Sequence, residues 1–244
     1  MRLKLIVAYD GRAFSGWQSQ ADNNAVQDHV EGAFRKIVGA RVVVHGSGRT
    51  DAGVHAVAQC AHVEVAKGAL KPGDWLRALN AHLPNTIRIM RATKAPGDFH
   101  ARFSAKGKIY RYRIWNGPVL PPEEYGRAWH VPQPLDMAVV REVAENFVGR
   151  HDFTAFSANR GKDHEDRVRT IHRFTVARKG SIVTATVEGE GFLYKMVRML
   201  TGAMVRAGLG REDAGELKER LANGGPRWNH VAPAEGLCLL RVLY

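Results

Sequence analysis

The sequence has 244 residues, of which 45% are hydrophobic and 25% are charged, a balance that excludes a largely disordered chain. It contains no apolar run of about 18 residues, so we expect no membrane-spanning helix. The formal net charge of +12 divides evenly on either side of Ala105; it favours a polyanionic ligand, although a merely basic protein would carry the same charge.

The first half of the chain alternates strand and helix patterns. Residues 3–9 alternate as a half-buried strand does, and Asp10 interrupts them too early for a signal peptide. Residues 25–38 repeat apolar side chains every three or four positions and stop at Gly39, which predicts a helix. The next predicted elements are strands at 41–45 and 54–65, a helix at 75–81 and a strand at 87–92.

The second half repeats this order. Its predicted elements are strands at 108–115, 169–178, 182–188 and 237–243, and helices at 137–147, 192–207 and 212–222. Each half therefore has the pattern β-α-β-β-α-β, with one extra helix in the second. We predict an α+β fold of two ferredoxin-like (RRM-like) halves whose antiparallel sheets form one continuous body, with domains at 1–105 and 106–244.

Familiar cofactor and metal motifs are absent from the sequence. Gly46-Ser47-Gly48 lacks the Gly-Lys-Ser/Thr of a P-loop, and Asp51 occupies the place of the third glycine of a dinucleotide fingerprint. The histidines have no zinc spacing, and two cysteines form no disulfide framework. We therefore predict no cofactor, no metal and a reduced, cytoplasmic protein.

The turn predicted before the strand at 54–65 contains the segment GRTDAGVHA (residues 48–56). Gly, Thr and Asp are common turn residues, so one interpretation is purely structural. The other is that a rigid turn presents the carboxylate of Asp51 to a ligand, while its glycines let another backbone come close. The residues of the turn leave both interpretations open.

Six motifs in chain order carry a resemblance to a known family. They are YDGRAFSGWQSQ (9–20), GRTDAGVHA (48–56), KIYRY (108–112), HDFTAF (151–156), GFLYKMVR (191–198) and PAEGL (233–237). With these motifs the chain resembles the tRNA pseudouridine synthase A family over nearly its whole length. Its one evident departure is Ala234, where many relatives have proline.

The resemblance implies an isomerase that converts uridine to pseudouridine at positions 38, 39 and 40, in the anticodon stem-loop of tRNA, without a cofactor or metal. It also implies a cytoplasmic homodimer that binds one tRNA across both subunits and does not associate with membranes. A uridine within a stem must be turned out of the stack before it can react.

The resemblance further implies the catalytic residues Asp51, Arg198 and Tyr110. Asp51 matches the family's nucleophile, which attacks either ribose or base and must be ionised. Arg198 matches the arginine that pairs with it, and the apolar neighbours of Arg198 favour a buried, paired cation over a solvent-facing one. Tyr110 matches a tyrosine that we expect to stack on the flipped uracil; the alternative is packing against Tyr112 on the same strand face.

Five further residues are predicted to bind substrate: Arg49, Leu237, Lys108, Arg111 and Arg113. Arg49 matches a family arginine tied to base extrusion, and its guanidinium would fill the gap in the stack. Leu237 matches a pocket residue, although it would equally suit a core. The three cations near 110 lie in a stretch without acidic residues (99–122), which suits an RNA backbone or a solvated edge strand. A second basic group, diluted by acidic neighbours, would extend this surface: Arg160, Lys162, Arg167, Arg169 and Arg173.

Two other classes of function fit parts of the sequence. A non-catalytic RNA-binding module would use the same sheets, but Lys108 stands where an RNA-recognition strand needs an aromatic residue. A nucleoside hydrolase would use Asp51 on a glycosidic bond, but no second carboxylate is evident at the motif. The isomerase is therefore the preferred hypothesis.

Overall fold

The computed structural model describes residues 1–66, 70–158 and 166–244. Two compact units are present, Met1–Lys106 with Cys238–Tyr244, and Gly107–Leu237. Both combine helices with strands that pair mainly antiparallel, which confirms the predicted α+β class. Within the described ranges, no helix is long and apolar enough to span a membrane.

The first unit has the strand order expected of a ferredoxin-like half. Its elements are β1 (Arg2–Tyr9), α1 (Val26–Val38), β2 (Val44–Gly46), β3 (His55–Glu64), α2 (Pro72–His82) and β4 (Ile87–Lys94). Strand β1 lies between β4 and β3 and is antiparallel to both, and β2 pairs antiparallel with β3. Leu3, Leu5 and Val7 alternate along β1 and are fully buried. Phe34 of α1 packs against Trp75 of α2 with ring centroids 5.2 Å apart.

The second unit contains the longer strands and the most deeply buried helix. Its elements are β5 (Gly107–Trp115), β6 (Trp129–His130), α3 (Met137–Asn146), β7 (Gly149–Asp152), β8 (Val168–Lys179), β9 (Ile182–Gly189), α4 (Met196–Gly208) and α5 (Ala214–Asn223). The sheet order is β5-β9-β8-β7, all antiparallel, with β6 parallel to the end of β5. Strands β6 and β7 are too short to show a period-two pattern, so the sequence did not predict them.

The last strand, β10 (Leu237–Leu243), has the predicted bounds but a partner that the sequence could not indicate. Cys238 and Leu239 pair in parallel with His55 and Ala56 of β3. The structure therefore groups residues 238–244 with the first unit, whereas the sequence pattern assigned them to the second half. Hydrophobic alternation predicts that a strand exists but carries no information on its neighbour.

Helix α4 begins four residues later than predicted. The apolar pattern starts at Phe192, but Lys195 adopts a left-handed backbone with a φ of 58°, which a right-handed helix cannot include. The amide of Met196 instead donates to the carbonyl of Leu193, 3.1 Å away, in a turn that precedes the helix. The first five residues of the GFLYKMVR motif therefore precede the helix, and the last three belong to it.

Three histidines of the first unit pack together. His62 of β3 stacks on His45 of β2 at 4.9 Å and meets the ring of His100 at 4.6 Å. Its side chain is buried, and its Nδ1 accepts a hydrogen bond from the amide of Ala101, 3.1 Å away. Burial, reinforced by the neighbouring His100, His45 and Arg2 and opposed by Glu64, lowers the pKa of His62 from 6.5 to about 4.

We expect the protein to lose stability as the pH falls from 6.5 to about 4. Across this range His62 binds a proton in the unfolded chain but not in the folded one, so acid favours unfolding, by about 3 kcal/mol at most. Urea unfolding at pH 7.5 and pH 4.5 measures the difference. His62→Gln keeps an acceptor for the Ala101 amide and should show a shallower pH dependence; an unchanged dependence would exclude His62 as the source.

Candidate active site

Asp51 lies in the turn of residues 47–54, between β2 and β3 of the first unit, and is half-buried. The first motif packs directly on this turn. Gly16 has a φ of +100°, and a Cβ there would lie 2.5 Å from the carbonyl oxygen of Thr50. That carbonyl also accepts the amide of Trp17 at 3.1 Å. The YDGRAFSGWQSQ and GRTDAGVHA motifs therefore pack against each other, and this packing fixes the backbone immediately before Asp51.

Buried polar side chains lie behind the same turn. The hydroxyl groups of Tyr9 and Thr50 are 2.8 Å apart and hydrogen bonded. The amide of Gln59, which is fully buried, donates to the carbonyl of Gly48 at 3.0 Å and accepts from the hydroxyl of Ser47 at 2.6 Å. The sequence reasoning missed Tyr9 and Gln59 as site residues. The available signal was Gln59 itself, a polar residue inside an apolar strand.

A second carboxylate, Asp10, lies at the end of β1 in the same unit. Its ion pair with Arg12 has a closest N–O distance of 2.6 Å, and Nδ1 of His55 lies 3.3 Å from its other oxygen. The hydrogen bond from Arg12 holds the pKa of Asp10 below its ordinary value. Asp10 is therefore an ionised acid that is engaged by a neighbouring guanidinium, a group that the sequence reasoning did not single out.

Arg49 is exposed, two residues before Asp51. Its Nε donates to the side-chain oxygen of Gln18 at 3.3 Å, a long hydrogen bond between two surface side chains. Both residues belong to the motifs that pack together. Such a side chain is able to leave its partner at little cost, because exposed hydrogen bonds compete with water.

Arg198 is half-buried in the first turn of α4, in the second unit. Its Nε donates to the carbonyl of Ala232 at 2.7 Å, and the amide of Ala232 donates back to the carbonyl of Arg198 at 3.1 Å. The guanidinium is therefore tied to the segment that leads into the PAEGL motif. The pairing of Arg198 with Asp51 stays a prediction.

Tyr110 is buried on β5, with its ring edge-on to Phe192 at 5.3 Å. Tyr112 lies on the same strand face; its hydroxyl donates to the carbonyl of Pro233 at 2.6 Å, and burial raises its pKa well above the ordinary value. A Cβ on Gly236 would lie 2.5 Å from the Tyr112 ring. The KIYRY, GFLYKMVR and PAEGL motifs therefore meet within the second unit.

The three predicted cations of β5 do not share one face of the strand. Because side chains alternate, Lys108 lies on the face of Tyr110, and Arg111 and Arg113 lie on the other. Arg113 forms an ion pair with Glu124 at 2.6 Å, so its charge is matched within the protein. Strand β5 is paired along its length with β9. Leu237 is buried at the start of β10.

Part of the second basic group lies outside the described residues, namely Arg160 and Lys162. Of the others, Arg169 donates to the carbonyls of Asp166 and Val168, and Arg173 lies 3.5 Å from the carboxylate of Glu188. These cations are engaged by the protein itself. Within the described part of the chain, no group of three or more His, Cys, Asp or Glu side chains is arranged to hold a metal ion.

Comparisons with known proteins agree with the motifs. A family model described as tRNA pseudouridine synthase matches residues 5–104 and 143–244. A tRNA pseudouridine synthase A of Akkermansia muciniphila is 45% identical, covering 100% of this chain and 95% of the relative. A protein of the same name from Methylacidiphilum infernorum is 43% identical over 99% of this chain and 94% of its own length.

Proposed function

The chain belongs to the tRNA pseudouridine synthase family, and from this premise we propose that it isomerises uridine to pseudouridine in tRNA, at positions 38, 39 and 40 of the anticodon stem-loop. The observation that carries the proposal is the GRTDAGVHA turn, whose half-buried Asp51 follows a backbone fixed by the first motif. The net charge of +12 supports a polyanionic substrate.

The proposed reaction is balanced without a redox partner. The bond between uracil N1 and ribose C1′ breaks, the base turns, and a bond forms between C5 and C1′. The proton that leaves C5 is matched by one gained at N1. We propose that Asp51 is the nucleophile, which adds to ribose or base and leaves again, so that the enzyme ends unchanged.

The remaining roles follow the family motifs. We propose that Arg198 pairs with Asp51 and keeps it ionised, and that Tyr110 stacks on the extruded uracil. Arg49 would fill the space that the base leaves in the RNA stack; its exposed position and weak bond to Gln18 support this.

The proposed substrate pocket also includes Leu237 and Lys108. Lys108 shares the strand face of Tyr110, so its charge is suited to a phosphate near the extruded base. Arg111 and Arg113 would meet RNA only on the opposite face of the strand.

At the level of the whole protein, we propose a cytoplasmic homodimer that needs no cofactor. The N-terminal domain (1–105) would contribute the aspartate, and the C-terminal domain (106–244) the tyrosine and arginine. The family resemblance supports the dimer, and sedimentation equilibrium would measure the mass of the assembly.

Release of tritium from the substrate tests the reaction directly. With tRNA labelled by tritium at uracil C5, we expect the label to enter water and pseudouridine to appear in the digested RNA in equal amount. Free uracil would indicate a nucleoside hydrolase. Unchanged uridine, with tRNA bound, would indicate a non-catalytic RNA-binding module.

A further inference from the structure

The hydrogen-bonded side chains behind the Asp51 turn form a layer that connects two strands to the turn. Tyr9 is the last residue of β1, and Gln59 lies inside β3. Tyr9 hydrogen bonds to the side chain of Thr50, and Gln59 donates to the backbone carbonyl of Gly48. The turn is thus fixed at two points, one and three residues before Asp51.

Because the side chains of this layer are buried, their hydrogen bonds tolerate little displacement. Tyr9, Gln59 and Ser47 are each at most 4% exposed. A buried polar group that loses its hydrogen-bond partner is strongly destabilising, and the turn cannot shift without leaving one of these groups unsatisfied. Burial also raises the pKa of Tyr9 above its ordinary value, so its phenol stays neutral and keeps its hydrogen bonds at physiological pH.

A carboxylate that attacks a substrate must be held in a fixed position relative to the atom that it attacks. Small misplacements of a catalytic group lower the rate strongly even when the change lies outside the contact with substrate. Hydrogen bonds to the turn restrict the backbone that carries the carboxylate. Asp51 would therefore depend on side chains that never touch the RNA.

We propose that Tyr9 and Gln59 are positioning residues, which act through Thr50 and Gly48 to hold Asp51 in the geometry for attack. The inference rests on the proposed function, because it takes Asp51 as the nucleophile. It adds that the β1 and β3 side chains set the turnover rate without contributing to RNA binding.

Removal of the Tyr9 hydroxyl gives the sharpest test. We expect Tyr9→Phe to lower kcat about tenfold and to leave KM and the Kd for tRNA within about twofold, because binding groups are untouched. Tyr244→Phe is the matched control, since it removes a tyrosine hydroxyl bonded to the Ala101 carbonyl at 2.7 Å elsewhere in the same unit. It should keep the wild-type kcat, and a kcat equal in the two variants would overturn the inference.

A double-mutant cycle separates positioning from general loss of stability. Thr50→Val removes the partner hydroxyl at nearly constant volume. If Tyr9 acts through Thr50, the variant with both changes should be no slower than the slower single variant, whereas independent effects would multiply and contradict the inference. Asp51→Asn, assayed in parallel, distinguishes the two proposals. Wild-type turnover in Asp51→Asn would contradict the assignment of Asp51 as the nucleophile. An inactive Asp51→Asn together with a fully active Tyr9→Phe would overturn only the positioning role of Tyr9.

Discussion

Asp51→Ala is expected to abolish isomerisation, lowering the rate by at least about 10⁴-fold, while tRNA binding persists. The change removes the one group proposed to form a covalent bond. Asp10, which follows β1 within the first motif, is engaged in its ion pair with Arg12. Tritium release measures the rate, and filter binding measures the affinity for tRNA.

Two controls make the result specific. Asp51→Asn keeps the shape of the side chain and should be as inactive as alanine, because an amide is not a nucleophile. Asp98→Ala removes an exposed carboxylate of the same unit and changes the net charge of the protein by the same amount as Asp51→Ala. It should keep wild-type turnover. Activity in Asp51→Asn comparable to that of Asp98→Ala would contradict the assignment of Asp51.

The sequence predicted most of the first unit because its strands alternate and its helices repeat with the expected period. Residues 25–38, for example, correspond closely to α1 (Val26–Val38). The placement of β10 beside β3 could not be predicted, because strand pairing joins residues far apart in the chain. The left-handed Lys195 is a tertiary effect that helix periodicity does not detect.

The residues of the candidate site were likewise predicted only in part from the sequence. The residues proposed to meet RNA were predicted through the resemblance of the motifs to the family, because the chemistry of the turn residues alone left a purely structural interpretation open. The supporting side chains were missed because Tyr9 resembles any buried aromatic residue at the end of a strand. The sequence analysis grouped Lys108, Arg111 and Arg113 as one basic stretch, whereas Lys108 and Arg111 lie on opposite faces of β5. A cluster of cations in sequence is not a patch on one surface.

Arg198→Met is expected to lower turnover by about 10²–10³-fold and to destabilise the fold. Two effects combine. The proposed partner of Asp51 is lost, and the carbonyl of Ala232, which is buried, loses its 2.7 Å hydrogen bond from Nε, at a cost of about 1–3 kcal/mol. Tritium release gives the first effect and thermal unfolding gives the second.

Combination with Asp51→Asn tests the pairing of the two charges. If Arg198 balances the charge of Asp51, Arg198→Met should destabilise the wild type more than it destabilises the Asp51→Asn variant, because an amide needs no counter-ion. Equal losses would mean that Arg198 does not stabilise the protein by pairing with Asp51. Arg198→Lys refines the distinction: an ammonium group keeps the charge but cannot bond to the carbonyl in the geometry of Nε. Partial recovery of turnover without recovery of stability would therefore assign the catalytic effect of Arg198 to its charge.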